Sequence, residues 1–256
     1  MDDTIQLLSI VEGIYAALYA DIDSLRFSYG SEQPPHAMIL YLRTLELANS
    51  ALMLVKAGHI PATRIVTRPL ISAVADLINL ATDREYHTRM ACTTSNESAR
   101  LIKRVIDDAR PDSSLTRLIE RYGLVQQQQR YAKELSAYKS AGVSPLSDFE
   151  RFRRAGMLDS YFTDYWLLSL ETHNDLKLLQ GHHVDARTAV PRVVYDKPVV
   201  QQEAENCIWA IGTSLFRAAL AIKRVVAGVS VDRIADLFAE LWKWEKRLQG
   251  GSDSML

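Results

Sequence analysis

Cysteine is nearly missing from this chain. There are two in 256 residues, Cys92 and Cys207, far apart and without C-x-x-C spacing. A disulfide framework and a cysteine-built zinc site are both excluded, and a reducing compartment is implied. Glycine is sparse too, at 11 residues, and neither G-x-G-x-x-G nor G-K-[ST] occurs. The phosphate cradles that need backbone close to an anion are therefore absent. Charge of one sign is lacking as well: the formal net charge is −1, which gives no overall pull toward nucleic acid or an acidic membrane. No apolar run approaches the ~20 residues that a membrane span needs. The opening "MDDTIQLLSIVEGIY" starts acidic and lacks the basic-then-apolar pattern of a signal peptide. The expectation is a cytoplasmic protein with no membrane contact, no DNA partner and no cofactor.

Histidine chemistry is thin. Bundled helices often build di-iron centres from Glu-x-x-His pairs. Three residues before the six histidines stand Gln33, Lys56, Arg84, Leu170, Leu179 and Gln180, none of them a carboxylate. There is no H-E-x-x-H and no His-Asp dipeptide. His182, His183 and Asp185 are near enough in sequence to ligate from a loop, but adjacent histidines point apart unless the backbone bends, so an exposed polar loop is the plainer reading. No metal site is expected.

What the chain does have is a pervasive 3.6-residue apolar period. Ile5, Leu8, Val11, Tyr15, Leu18, Ile22 and Leu25 form one stripe, predicting a helix over 3–28. A second helix is expected over 36–57, with Gly58 as its C′ residue, and a third from Pro61 to Thr82. Residues 85–108 read as one helix or two, broken near "CTTSNES". Ser113 or Ser114 caps the next, and "SDFE" at Ser147 to Glu150 has the form of a capping box. Helices over 157–180 and from Pro198 to Ala227 follow, separated by "GHHVDARTAVPRVVYDKP", whose valine-rich half suits extended chain. Ser230 opens an amphipathic helix over 230–248, and 250–256 is a frayed tail. The fold class is all-α, a bundle of about seven to nine helices without significant sheet, read as a single domain over 1–256.

One stretch breaks the pattern. "YWLLSLETHNDLKLL" (165–179) is apolar for six residues and then sets Glu171, Thr172, His173 and Asn174 in a row. Phe162, Trp166, Ser169, His173 and Leu176 step at helical spacing, which places His173 on an inward face. A core histidine with satisfied ring nitrogens is one reading. A polar pocket shared with Arg68 is another, and metal ligation a third. On the third helix Arg64, Arg68, Ser72 and Asp76 lie four apart, which suits a solvated face as well as an anion site. The candidates are His173 and Arg68 for catalysis, with Arg64, Ser169, Glu171 and Asn174 for ligand binding.

"GHIPATRIVTRPLISAVADLINL" and "FRRAGMLDSYFTDYWLLSLETHNDLKLL" together resemble a bacterial family of helical domains of unknown function. That family carries an arginine in an early helix and a later Y-x-x-L-S-x-x-x-H signature. The matching residues are Arg68, then Tyr165, Leu168, Ser169 and His173, and the resemblance covers about 36–228. Ser72 stands where the family often has Glu, and Asn174 where it often has Gly. Its architecture is distantly like that of the HEPN domains (higher-eukaryote-and-prokaryote nucleotide-binding), some of which are metal-independent ribonucleases. Those set an Arg a helical turn or two before a His on one helix, to position phosphate and move protons. No histidine here has an Arg in that window. Two functions therefore stand as expectations. The first is a non-catalytic interaction or regulatory protein, a possible homodimer through its amphipathic helices. The alternative is a HEPN-like ribonuclease or a degenerate relative, acting on RNA in phage defence or as a toxin.

Overall fold

A computed structural model describes residues 3–111, 113–172, 175–185, 190–194 and 200–250. The protein is essentially all-α. Along the chain run α1 (Asp3–Ala20), a 3₁₀ turn (Ile22–Ser24), α2 (Gln33–Lys56), α3 (Ile60–Thr82), α4 (Tyr86–Asp107), α5 (Ser114–Tyr122), α6 (Leu124–Ser140) and α7 (Asp148–Arg154). There follow α8 (Leu158–Ser160), a π-helical turn (Tyr161–Tyr165), α9 (Trp166–Thr172), α10 (Leu176–His183), a two-stranded ribbon of β1 (Val184–Asp185) and β2 (Arg192–Val193), α11 (Gln201–Ile222) and α12 (Asp232–Gly250).

The chain forms two compact units, Met1–Thr82 with Phe152–Leu256, and Asp83–Arg151. In the first, α2 and α3 make a helical hairpin, and α11 packs on both of them and on α1, which also carries α12. Its core is one apolar stripe from each helix. Leu7, Val11, Ile14 and Leu18 meet Tyr41 and Leu45, Leu70, Val74 and Leu77, Ile208, Ile211 and Leu215, and Ile234 and Leu241, all buried. The hairpin turn is a Schellman motif: Gly58 N–H donates to Val55 O and His59 N–H to Leu54 O, each at 2.9 Å, with Gly58 at φ 77°.

In the second unit α4 packs on α6, and Ser95 Oγ donates to Glu134 Oε2 at 2.7 Å. The polar "CTTSNES" run does not interrupt α4, because Thr93 Oγ returns to the Arg89 carbonyl at 2.8 Å and Ser95 is satisfied across the helix pair. Ser113 caps α5 by accepting from Thr116 N–H, and Gly123, at φ 57°, ends it. Ser147 Oγ accepts from Glu150 N–H at the start of α7, the forward half of the capping box.

Three boundaries differ from the periodicity. α1 ends at Ala20 rather than near 28: Leu25 turns to extended backbone, and Arg26 and Ala227 exchange N–H···O=C bonds of 2.9 and 3.0 Å. The stripe continues past the helix because Leu25 is still buried. The helix expected over 157–180 is divided, with Asp175 N–H bonding back to Leu170 O and its side chain accepting from Lys177 N–H to open α10. The last helix starts at Asp232 rather than at Ser230, whose N–H donates to Asp21 Oδ2 instead. Pro198 and the tail from 251 lie outside the described residues.

Length and hydropathy also run ahead of the sequence reading. Asp3–Ser24, Gln33–Lys56 and Ile60–Thr82 reach mean hydropathies of 1.4, 1.4 and 1.3, enough by length and composition to cross a membrane. In α2 and α3, half or more of the apolar window (50% and 56%) is buried inside the fold, and α3 buries Thr63, Thr67, Asp76 and Asn79 along with it.

Candidate functional site

The polar row of α3 is not a solvated face. Arg68 reaches from α3 to the helix after the π turn: its Nε donates to Ser169 Oγ at 2.9 Å and its Nη2 to Tyr165 Oη at 3.0 Å. The guanidinium carbon lies 4.8 Å from the centre of the Tyr165 ring. Ser169 Oγ in turn donates to the Tyr165 carbonyl at 2.7 Å, which leaves its lone pairs turned to the arginine. Tyr165 is itself wedged against Phe152 and Tyr161, with ring centres 4.7 and 5.6 Å away. Asp76, two turns on from Arg68, is buried, and with Ser72 and Arg43 it lines a 300 Å³ hollow that also contacts Arg68 and Tyr165.

Arg68, Tyr165 and Ser169 thus form one cluster. The family of unknown function DUF5677 matches residues 36–188. The chain belongs to this family. The DUF5677 region takes in more than half of the chain and stops short of the 36–228 expected from the residues, leaving α11 and α12 outside it. No curated protein and no solved structure matches.

Of the remaining candidates, Arg64 sits one turn before Arg68 but faces α11. Its side chain is 18% exposed and pairs with Glu203 Oε1 at 3.4 Å. Glu171 lies in the last turn of α9. His173 and Asn174 lie outside the described residues. His183 ends α10, its Nδ1 within 3.3 Å of Val194 O, and Asp185 lies on β1, so these two occupy regular structure rather than an irregular loop.

The π turn sets which side of this DUF5677 helix points in. A π turn advances less per residue than an α turn, so the stripe lags by about one position over five residues. The inward line is Tyr161, Tyr165 and Leu168, with Ser169 at its edge against Arg68, and not Phe162 and Trp166. Phe162 is 62% exposed, Trp166 55% and Leu167 54%, while Tyr165 and Leu168 are buried.

Between α3, the π turn with α9, and α11 lies a cavity of 370 Å³, walled by Leu167, Leu168, Leu170, Trp209 and Ala210. Arg64, Asp164, Glu203 and Cys207 are its charged and titratable lining. Burial pushes the Cys207 thiol up to about 11, with neighbouring Arg64 pulling the other way. Burial also raises the Asp164 carboxyl, against the pull of Arg217. A larger hollow of 740 Å³ adjoins it, sharing Asp164 and Trp209 and lined further by Arg217, Phe238 and Trp242.

Asp164, Glu203, Cys207, Trp209 and Arg217 are the residues that sequence reasoning passed over. None of them carries a motif. The one available signal was an acid inside the aromatic string "YFTDYW".

Proposed function

We propose that the protein is a non-catalytic interaction or regulatory protein whose contact surface is the outward face of α8, the π turn and α9. The observation that carries this is the exposure of Phe162, Trp166 and Leu167 on a helix whose other side is buried. Contiguous exposed aromatic surface marks association sites, and Trp is enriched among the residues that dominate binding. The Arg68 contacts to Tyr165 and Ser169 fix this helix from behind, so its outer face is held in one conformation, which lowers the ordering cost of binding. On this reading the occupant is a second copy of the chain and the protein works in the cytoplasm, which the packing of α2 against α3 supports.

Sedimentation equilibrium across the micromolar range tests this. The wild type is expected to dimerise, and Phe162→Ser with Trp166→Ser is expected to be monomeric with unchanged circular dichroism. A wild type that is monomeric throughout, or a double variant that still dimerises, removes the homodimer.

The ribonuclease alternative draws on Arg68 bonding to Ser169, four positions before His173 in sequence. In that role Arg68 would have to grip phosphate, yet two of its nitrogens are already spent on the helix tie. RNA cleavage by the wild type that disappears in His173→Ala would replace the non-catalytic reading.

A further inference from the structure

Asp164 is out of keeping with its surroundings. It sits in the π turn and lines both the 370 and the 740 Å³ hollows, with Thr163 before it and Tyr165 after it in sequence. Among the described residues it makes no hydrogen bond and no ion pair. Arg64 pairs with Glu203 at 3.4 Å, and Arg217, which acts on the Asp164 carboxyl at longer range, bonds through Nη1 to Ser160 Oγ at 2.7 Å. Asp164 is half-buried, and a carboxylate drawn partly out of water is stabilised by a nearby cation or donors. Among the described residues Asp164 has no direct partner, and the smaller hollow beside it is lined by leucines and Trp209 together with the polar Thr67 and Asn206.

The walls narrow the kind of molecule that fits. Leu167, Leu168, Leu170 and Ala210 offer an apolar bed, and Trp209 offers an aromatic face at the boundary of the two hollows. Among the described residues lining the smaller hollow, Asp164 and Glu203 are carboxylates, and the cation Arg64 is already paired. An organic acid would meet Asp164 and Glu203 with no uncommitted cation. Inorganic phosphate would leave the apolar wall unused. An ammonium group satisfies the carboxylate with both charge and donors, gains from the tryptophan ring, and carries a body that the leucines cover. The volume is in the ~300–1,000 Å³ range of small-molecule sites.

We propose that this hollow is a binding site for a small organic amine with an apolar or aromatic body, its ammonium seated against the Asp164 carboxylate. Leu167 lies on both the hollow and the outward face of α9, so an occupant would touch the back of the proposed contact surface.

Titration calorimetry on the full chain tests the site with phenethylamine as the probe, and with phenylpropionate as the matched acid of opposite charge. Phenethylamine is expected to bind and phenylpropionate is not. Asp164→Asn keeps the shape and removes the charge, and is expected to weaken phenethylamine about tenfold or more. Ala210→Leu, which fills the bed without touching any charge, is expected to abolish binding while leaving the circular dichroism unchanged. No binding of phenethylamine to the wild type overturns the proposal. So does equal binding by Asp164→Asn, or by Ala210→Leu, or binding of phenylpropionate as strong as that of the amine.

Discussion

At the scale of single residues, Arg68 is the side chain with the most to lose. Its two donated bonds and its ring contact join α3 to the helix after the π turn, and both acceptors are partly buried. Hydrogen bonds from a charged group contribute about 1.5–3 kcal/mol, and removing one partner leaves the other unsatisfied. Arg68→Met is therefore expected to lower stability by about 2–3 kcal/mol. Arg68→Lys is expected to recover little of it, because a single ammonium cannot serve Nε and Nη2 acceptors in the fixed geometry of the fork. Urea unfolding midpoints measure both; a midpoint unmoved in Arg68→Met would mean that the guanidinium ties nothing. Arg68, Tyr165 and Ser169 were singled out together in the sequence by the resemblance to a family signature, since the spacing on α3 alone suits a solvated face equally well. Asp164 was not. A lone acid in a helix is usually on the surface, and only the packing of α11 against the π turn places it beside a cavity.

At the scale of elements, the apolar period located most helices but not their phase or their ends. The π turn is the clearest case. Counting at 3.6 residues puts Phe162 and Trp166 inside, and one turn of different pitch exchanges them for Tyr161 and Tyr165. The end of α1 is another, since it is set by a bridge to Ala227, a residue two hundred positions away that no local pattern can show. Gly228 is part of that same junction. Its φ is +94°, and a Cβ there would collide with the Ser24 carbonyl oxygen, which is backbone and has no freedom to move aside. Gly58 has a similar φ of +77° but open space around the Cβ position. Gly58→Ala therefore meets conformational strain alone, at about 1 kcal/mol, whereas Gly228→Ala adds the collision and is expected to cost about 3 kcal/mol. Thermal unfolding of the two variants side by side measures the difference. Equal losses would show that the approach of Gly228 to Ser24 imposes no constraint.

At the scale of the whole molecule, the break after α3 is short and the non-helical stretch 141–147 ahead of Arg151 is no longer than an ordinary helix connection, so neither marked the division into two units beforehand. What separates the units physically is the amount of core each owns. In the larger one, α2, α3 and α11 bury long series of side chains against one another and against α1. In the smaller one, α4 buries Tyr86, Cys92, Ser95 and Ile102, while α5 and α6 bury no residue fully. Backbone hydrogen bonds on such exposed helices open by local fluctuation, whereas those of a shared core open only when the whole unit unfolds. Deuterium exchange followed by mass spectrometry should therefore show the amides of α2, α3 and α11 exchanging slowest. Peptides from α5 and α6 should exchange much faster, with α4 between the two because one side of it is covered. The same gradient bears on the DUF5677 region, which includes both α2–α3 and α5–α6 and so is expected to split into slow and fast parts rather than exchange as one body. Protection in α5 and α6 equal to that in α2 and α3 would mean that the 83–151 unit has a stability its own buried residues do not account for.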